Sequence, residues 1–118
     1  MKIDLDEMQK EIIQNKIKHG WDIGNINWEF NLLYGEVAEA FDAYNKKLPK
    51  EELGAELADI AIYLLGLSDM LGFSLQEEIQ KKFEIIKHRK YITVDGKTVK
   101  VDDRDWQDNS FDLEYFWG

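Results

Sequence analysis

Apolar residues recur at helical spacing through most of the chain and then switch to alternation. Residues 4 to 19 set Leu5, Met8, Ile12 and Ile17 behind Asp4 and Glu7, a capping-box pair, and predict a first helix. The stretch from Gly20 to Asn27, rich in Gly, Asn and Asp, reads as a loop in which Asn25 and Asn27 cap or turn the chain. A second helix over about 27 to 46 has an apolar stripe at Phe30, Leu33, Val37, Phe41 and Tyr44, expected to face the core. Pro49 marks the break before a third helix, about 50 to 71, striped by Leu53, Leu57, Ile60, Leu64, Leu67 and Leu71. Gly72 is suited to stop it, and Ser74 with Glu77 is a second capping box opening a fourth helix along Leu75, Ile79, Phe83 and Ile86.

After Tyr91 the period falls to two. Ile92, Val94, Val99 and Val101 alternate around Asp95-Gly96, a dipeptide that accepts the positive φ angles of a type I′ turn, and so predict a β-hairpin. The pattern as a whole predicts a mainly α fold, a four-helix bundle with a small C-terminal hairpin. Residues 1–101 are expected to form one domain and residues 102–118 an acidic aromatic tail. Trp106, Phe111, Tyr115, Phe116 and Trp117 crowd that tail, which argues that it lies against the bundle or a partner chain instead of being fully solvated.

Composition narrows the chemistry. With no cysteine among 118 residues, thiolate and disulfide chemistry are excluded, and a metal would have to be held by oxygen ligands or by the two histidines. His19 and His88 stand alone in polar segments and read as surface residues. The net charge of -9 opposes nucleic acid and anionic membrane as partners, and a polyphosphate substrate would require bound cations. No apolar run reaches the length of a membrane span, and the first residues lack the character of a targeting segment, so a cytoplasmic location is expected.

Four carboxylates stand out from this acidic background. Glu36 and Glu39 lie three apart on the second helix, and Glu56 and Asp59 three apart on the third, so each pair shares a helix face. Glu39 with Glu56 and Glu36 with Asp59 both have their midpoint at 47.5, inside the turn between the helices. An antiparallel hairpin therefore sets them on two facing rungs beside the apolar stripe. Acids on helix flanks ordinarily pair with lysines in solvent; the shared midpoint singles these four out. Their mutual repulsion is most simply relieved by Mg²⁺ or Mn²⁺, cations that suit phosphoryl chemistry.

The order GEVAE, about sixteen residues, then ELADIAIYLL and a basic KKFEIIKHRKY resembles the MazG-like all-α nucleoside triphosphate pyrophosphohydrolases over about residues 20 to 91. The resemblance implies the fold of that family and metal-ligand roles for Glu36, Glu39, Glu56 and Asp59. It implies Mg²⁺-dependent cleavage of a nucleoside triphosphate to a monophosphate and pyrophosphate, with the clearing of unwanted nucleotides as a role, and a homodimer or dimer of dimers. Tyr63 matches a tyrosine of the dCTPase-like branch that lies near the nucleotide, and Lys82, Arg89 and Tyr91 fall in the basic segment expected to touch phosphates. Glu39 is the candidate to orient or deprotonate the attacking water. Gly35 stands where many members have a further glutamate, and Ile86 where an asparagine is expected.

Trp21 and Trp28 bracket the loop before the second helix and offer faces on which a base can stack, against the alternative of core packing. Lys46, Lys47 and Lys50 around the turn read as solubilising charges. Two other functions fit the same residues: a non-catalytic helical interaction module, and a pyrophosphohydrolase acting on a phosphoribosyl-nucleotide.

Overall fold

In the computed structural model, residues 2–101 and 113–115 are described. Among the described residues the protein is mainly helical, with four helices and a small C-terminal antiparallel β-hairpin. Helix α1 spans Leu5–Lys18, α2 Ile26–Asn45, α3 Lys50–Leu71 and α4 Leu75–Lys87, followed by β1 at Lys90–Val94, β2 at Lys97–Val101 and β3 at Leu113–Tyr115. The chain forms two compact units, residues 1–78 and 79–118. No single helix among the described residues is long and apolar enough to cross a membrane.

The helix ends follow their caps. Asp4 accepts from the Glu7 N–H at 3.2 Å, Asn25 from the Trp28 N–H at 3.0 Å, and the Ser74 hydroxyl from the Glu77 N–H at 3.1 Å. The α2–α3 turn closes with the Leu48 N–H donating to the Ala43 carbonyl at 3.1 Å, while Lys47 takes the left-handed position usually given to glycine. At the other end of α3, Gly72 takes the same role and the Phe73 N–H reaches the Ser68 carbonyl.

In the first unit α2 packs along α3, and α1 lies on α3. Gly66 permits the second contact, since a Cβ there would stand 3.2 Å from the Ile12 side chain. Buried Gln9 ties the helices together: its amide nitrogen donates to the Phe73 carbonyl at 2.7 Å and its oxygen accepts from the Leu75 N–H at 3.2 Å. The Ser74 hydroxyl and the Gln76 amide both donate to Asp6, and Gln76 accepts from the Leu5 N–H.

The apolar stripe expected to carry α2 into the core does not do so. Of its five residues only Leu33 is half-buried; Phe30, Val37, Phe41 and Tyr44 are exposed. The face that meets α3 runs one residue behind, through Glu29, Leu33, Glu36, Ala40 and Ala43, of which Glu29 and the two alanines are buried. Small alanines let the two backbones approach closely, and this contact determines the orientation of α2 over the larger but bulkier apolar stripe.

In the second unit the hairpin forms as predicted, with Lys90 opposite Val101 and Val94 opposite Lys97. Asp95 and Gly96 have φ of 51° and 76°, the pair of positive angles that a type I′ turn needs. A third strand, which the sequence pattern did not suggest, lies on β2 with Val99 opposite Tyr115 and Val101 opposite Leu113. Trp106, Phe111, Phe116 and Trp117, among the aromatics expected to lay the tail against the bundle or a partner chain, lie outside the described residues.

Candidate metal centre and the adjoining pocket

The turn at 46–49 sets the register of α2 against α3, and the register brings the carboxylates together. Ligand oxygens of Glu36, Glu56 and Asp59 all lie within 4.8 Å of one another. Glu36 and Glu56 are half-buried in the helix–helix contact, deeper than the edge position the stripe implied, and Asp59 is exposed. Glu39, also exposed, is outside this group of three but acts on it: its charge and a hydrogen bond to it are felt by both Glu36 and Glu56.

The electrostatics are those of acids without compensation. Desolvation, then the charges of Glu39, Asp59 and Glu56, raises the Glu36 carboxyl above its ordinary 4.5. Glu56 is raised by desolvation and then by Glu39 and Asp59. The Oε2 atoms of both are buried without a hydrogen-bond partner, and among the described residues no ion pair reaches any of the four acids. Convergent oxygen ligands with orphaned lone pairs fit a hard divalent cation.

A cavity of about 800 Å³ opens between α1, the loop after it, and the first turns of α2, with Ile62 and Tyr63 of α3 on its wall; none of the four acids lines it, and Leu32 and Tyr63 of its lining stand one helical turn from Glu36 and Asp59. Trp21 and Trp28 both line it and are both more than half exposed. The Trp21 ring stacks on His19 at 4.6 Å between centroids, so one indole face is already taken. Asn25, which caps α2, fixes Trp28 in its first turn, and Asp22 folds the loop by accepting from the Gly24 and Asn25 N–H groups.

Tyr63 joins the two places. It lines the cavity, and desolvation followed by the charges of Glu36, Glu29, Asp59 and Glu39 raises its hydroxyl above the ordinary 10.0. Lys82, Arg89 and Tyr91 belong to the second unit, where Lys82 is exposed on α4, Arg89 is half-buried before β1, and Tyr91 is exposed on β1. At Gly35 a Cβ would meet open space.

Sequence reasoning missed Lys16 and Glu29. Both line the cavity, and they form an ion pair at 2.8 Å with side chains only 13% and 4% exposed. The Lys16 ammonium also stands 5.9 Å from the centre of the Tyr63 ring, and Glu29 Oε2 is buried without a partner. A signal for Glu29 was present: it sits seven residues before Glu36, on the same helix face.

The first unit is thus a helical hairpin with an acidic cluster of metal-ligating type, flanked by an aromatic cavity. Compared with protein-family models, curated proteins and solved structures, the chain finds no match.

Proposed function

We propose that the protein is a Mg²⁺-dependent nucleoside triphosphate pyrophosphohydrolase, releasing a nucleoside monophosphate and pyrophosphate. The observation that carries the reading is the convergence of Glu36, Glu56 and Asp59, with two buried carboxylate oxygens unsatisfied, at the side of a cavity large enough for a nucleoside. Glu36, Glu56 and Asp59 would hold the cation, with Glu39 beside them. When bound, a divalent cation would neutralise polyphosphate charge and, as a Lewis acid toward phosphoryl oxygens, make the phosphorus more electrophilic. Trp28 and the free face of Trp21 receive the base, and Tyr63 lies between base and phosphates.

In the step itself a water oxygen bonds to the α-phosphorus and the bond to the bridging oxygen breaks. Pyrophosphate leaves with that oxygen, and the Glu39 carboxylate accepts the water proton. Glu39 is exposed next to the cluster, within reach of solvent, as a base at this position must be. The test is to incubate the purified protein and Mg²⁺ with canonical and modified nucleoside triphosphates and phosphoribosyl-nucleotides, separating products by chromatography. Monophosphate and pyrophosphate in equal amounts support the reading. Orthophosphate as the first product, or no turnover of any nucleotide, overturns it.

A further inference from the structure

The cavity along α1 carries more negative charge on its wall than the chain itself answers. Four charged side chains line it, the three acids Glu11, Asp22 and Glu29 and the single base Lys16, which leaves a net charge of -2. Lys16 and Glu29 hold each other at 2.8 Å, so the excess belongs to Glu11 on α1 and to Asp22 on the loop that follows. Both are exposed, and among the described residues no ion pair reaches either. Acceptors are in surplus as well. Asp22 gives Oδ1 to the Gly24 and Asn25 N–H groups, while Glu29, with its side chain only 4% exposed, keeps Oε2 buried without a partner.

The part of the wall that a flat ligand meets is aromatic. Trp21, Trp28 and Tyr63 line the same cavity, and the two indoles are 55% and 54% exposed. His19 covers one face of Trp21 and leaves the other. The face of an aromatic ring is the negative pole of its quadrupole and attracts a cation laid over it, indole most strongly. The chain makes this contact once with its own residues: the Lys16 ammonium stands 5.9 Å from the centre of the Tyr63 ring while it holds the Glu29 carboxylate. Indole faces and uncompensated acids favour the same property in a ligand, a positive charge spread over a flat ring. A neutral nucleobase satisfies the indoles alone, and a small hydrated cation the acids alone.

We propose that the cavity selects nucleotides whose base carries a positive charge, the class formed when a ring nitrogen of adenine, cytosine or guanine is alkylated. The inference rests on the pyrophosphohydrolase reading, which brings a nucleoside to the cavity, and it names the substrate class of that site. Stacked on Trp28 or on the free face of Trp21, such a base adds a cation–π attraction to the stacking that any base obtains. Glu11 and Asp22 attract the charged base and repel the triphosphate, so the base is the end that enters. The bond cleaved is unchanged, since the added charge lies on the base and not at phosphorus.

Two methylated adenosines isolate the effect of charge. Methylation of the ring nitrogen beside the amino group gives a cation at neutral pH, and methylation of the amino group itself gives a neutral counterpart with the same added methyl. Titration calorimetry of the two nucleosides on the full chain, without Mg²⁺, reads the cavity apart from catalysis. The cation should bind at least about tenfold more tightly. Trp28→Leu, and Glu11→Gln combined with Asp22→Asn, should each cut that ratio at least about threefold. Asparagine keeps the side-chain oxygen that folds the loop, and circular dichroism checks that the helices persist. Equal binding of the two nucleosides, binding of neither, or a ratio untouched by both variants overturns the proposal. The triphosphates of the same nucleosides, given with Mg²⁺, separate this inference from the reading beneath it. A kcat/KM at least about tenfold higher for the cationic base supports both. Equal turnover of the two overturns the selectivity and leaves the pyrophosphohydrolase standing, whereas turnover of neither overturns both.

Discussion

Glu29 and Glu36 lie two turns apart on the same face of α2, and they differ in what stands beside them. Glu29 is buried against Lys16, an ion pair at 2.8 Å shut away from solvent. Glu36 is half-buried against Glu56 and Asp59, with Glu39 at its side, so its neighbours carry the same charge. The first arrangement has its counter-charge within the chain, with one carboxylate oxygen of Glu29 still lacking a hydrogen-bond partner. The second has no counter-charge among the described residues of the chain, and carboxylates held this close in a partly dehydrated contact either take up protons or bind metal. One helix face therefore carries an acid with a resident counter-charge and an acid without one, and the second is the proposed metal ligand.

The largest effect should come from opening the closed pair. Lys16→Met leaves Glu29 buried with no cation and should destabilise the fold by about 3–5 kcal/mol in chemical denaturation. Adding Glu29→Leu to it should recover much of that loss, because the orphaned charge is removed. If Lys16→Met alone is neutral, the pair is not what closes this end of the helix.

At the other end the same kind of change should act on chemistry. Glu56→Gln should reduce pyrophosphate release at least about a hundredfold, equivalent to the several kcal/mol that a catalytic cation supplies. Helical circular dichroism should be preserved. Titration calorimetry should show weakened Mg²⁺ binding, and unchanged binding would remove Glu56 from the site.

A smaller effect carries an opposite sign at the two glutamates. In EDTA, Glu36→Gln removes a repelling charge and should raise the melting temperature by a few degrees, whereas Glu29→Gln should lower it. Saturating Mg²⁺ should raise the wild-type melting temperature and leave Glu36→Gln well behind. A fall in melting temperature for Glu36→Gln in EDTA would mean that its charge is compensated after all.

The smallest effect is the pH dependence of the metal-free protein. Glu36 and Glu56 have folded-state pKa values above the ordinary 4.5, so between 4.5 and those raised values the folded state holds protons that the unfolded state has released. Over that window their contribution to stability falls as pH rises, and below 4.5 it is fully present. Bound Mg²⁺ should reverse the trend, since it requires the ionised carboxylates. Thermal melts of wild type and Glu36→Gln across this range, with and without Mg²⁺, isolate the contribution.

Local structure was legible in the sequence because its causes are local. Asp4, Asn25, Ser74 and Gly72 act within a few residues of themselves, and the helices and the Asp95-Gly96 turn begin and end where those residues put them. The pairing of GEVAE with ELAD across the 46–49 turn was legible too, since an antiparallel hairpin converts equal distance from a turn into proximity. What the sequence by itself did not determine is which side of α2 faces inward. The helical stripe of large apolar residues pointed one way, and close packing through Ala40 and Ala43 turned the helix about 100° from it. That rotation put Glu29 against Lys16 of another helix, drew Glu36 into the contact, and left Phe30, Val37, Phe41 and Tyr44 outside. Such a choice depends on how two surfaces fit, a property of neither sequence segment alone. It is where the tertiary structure decided the acids' surroundings and hence their chemistry.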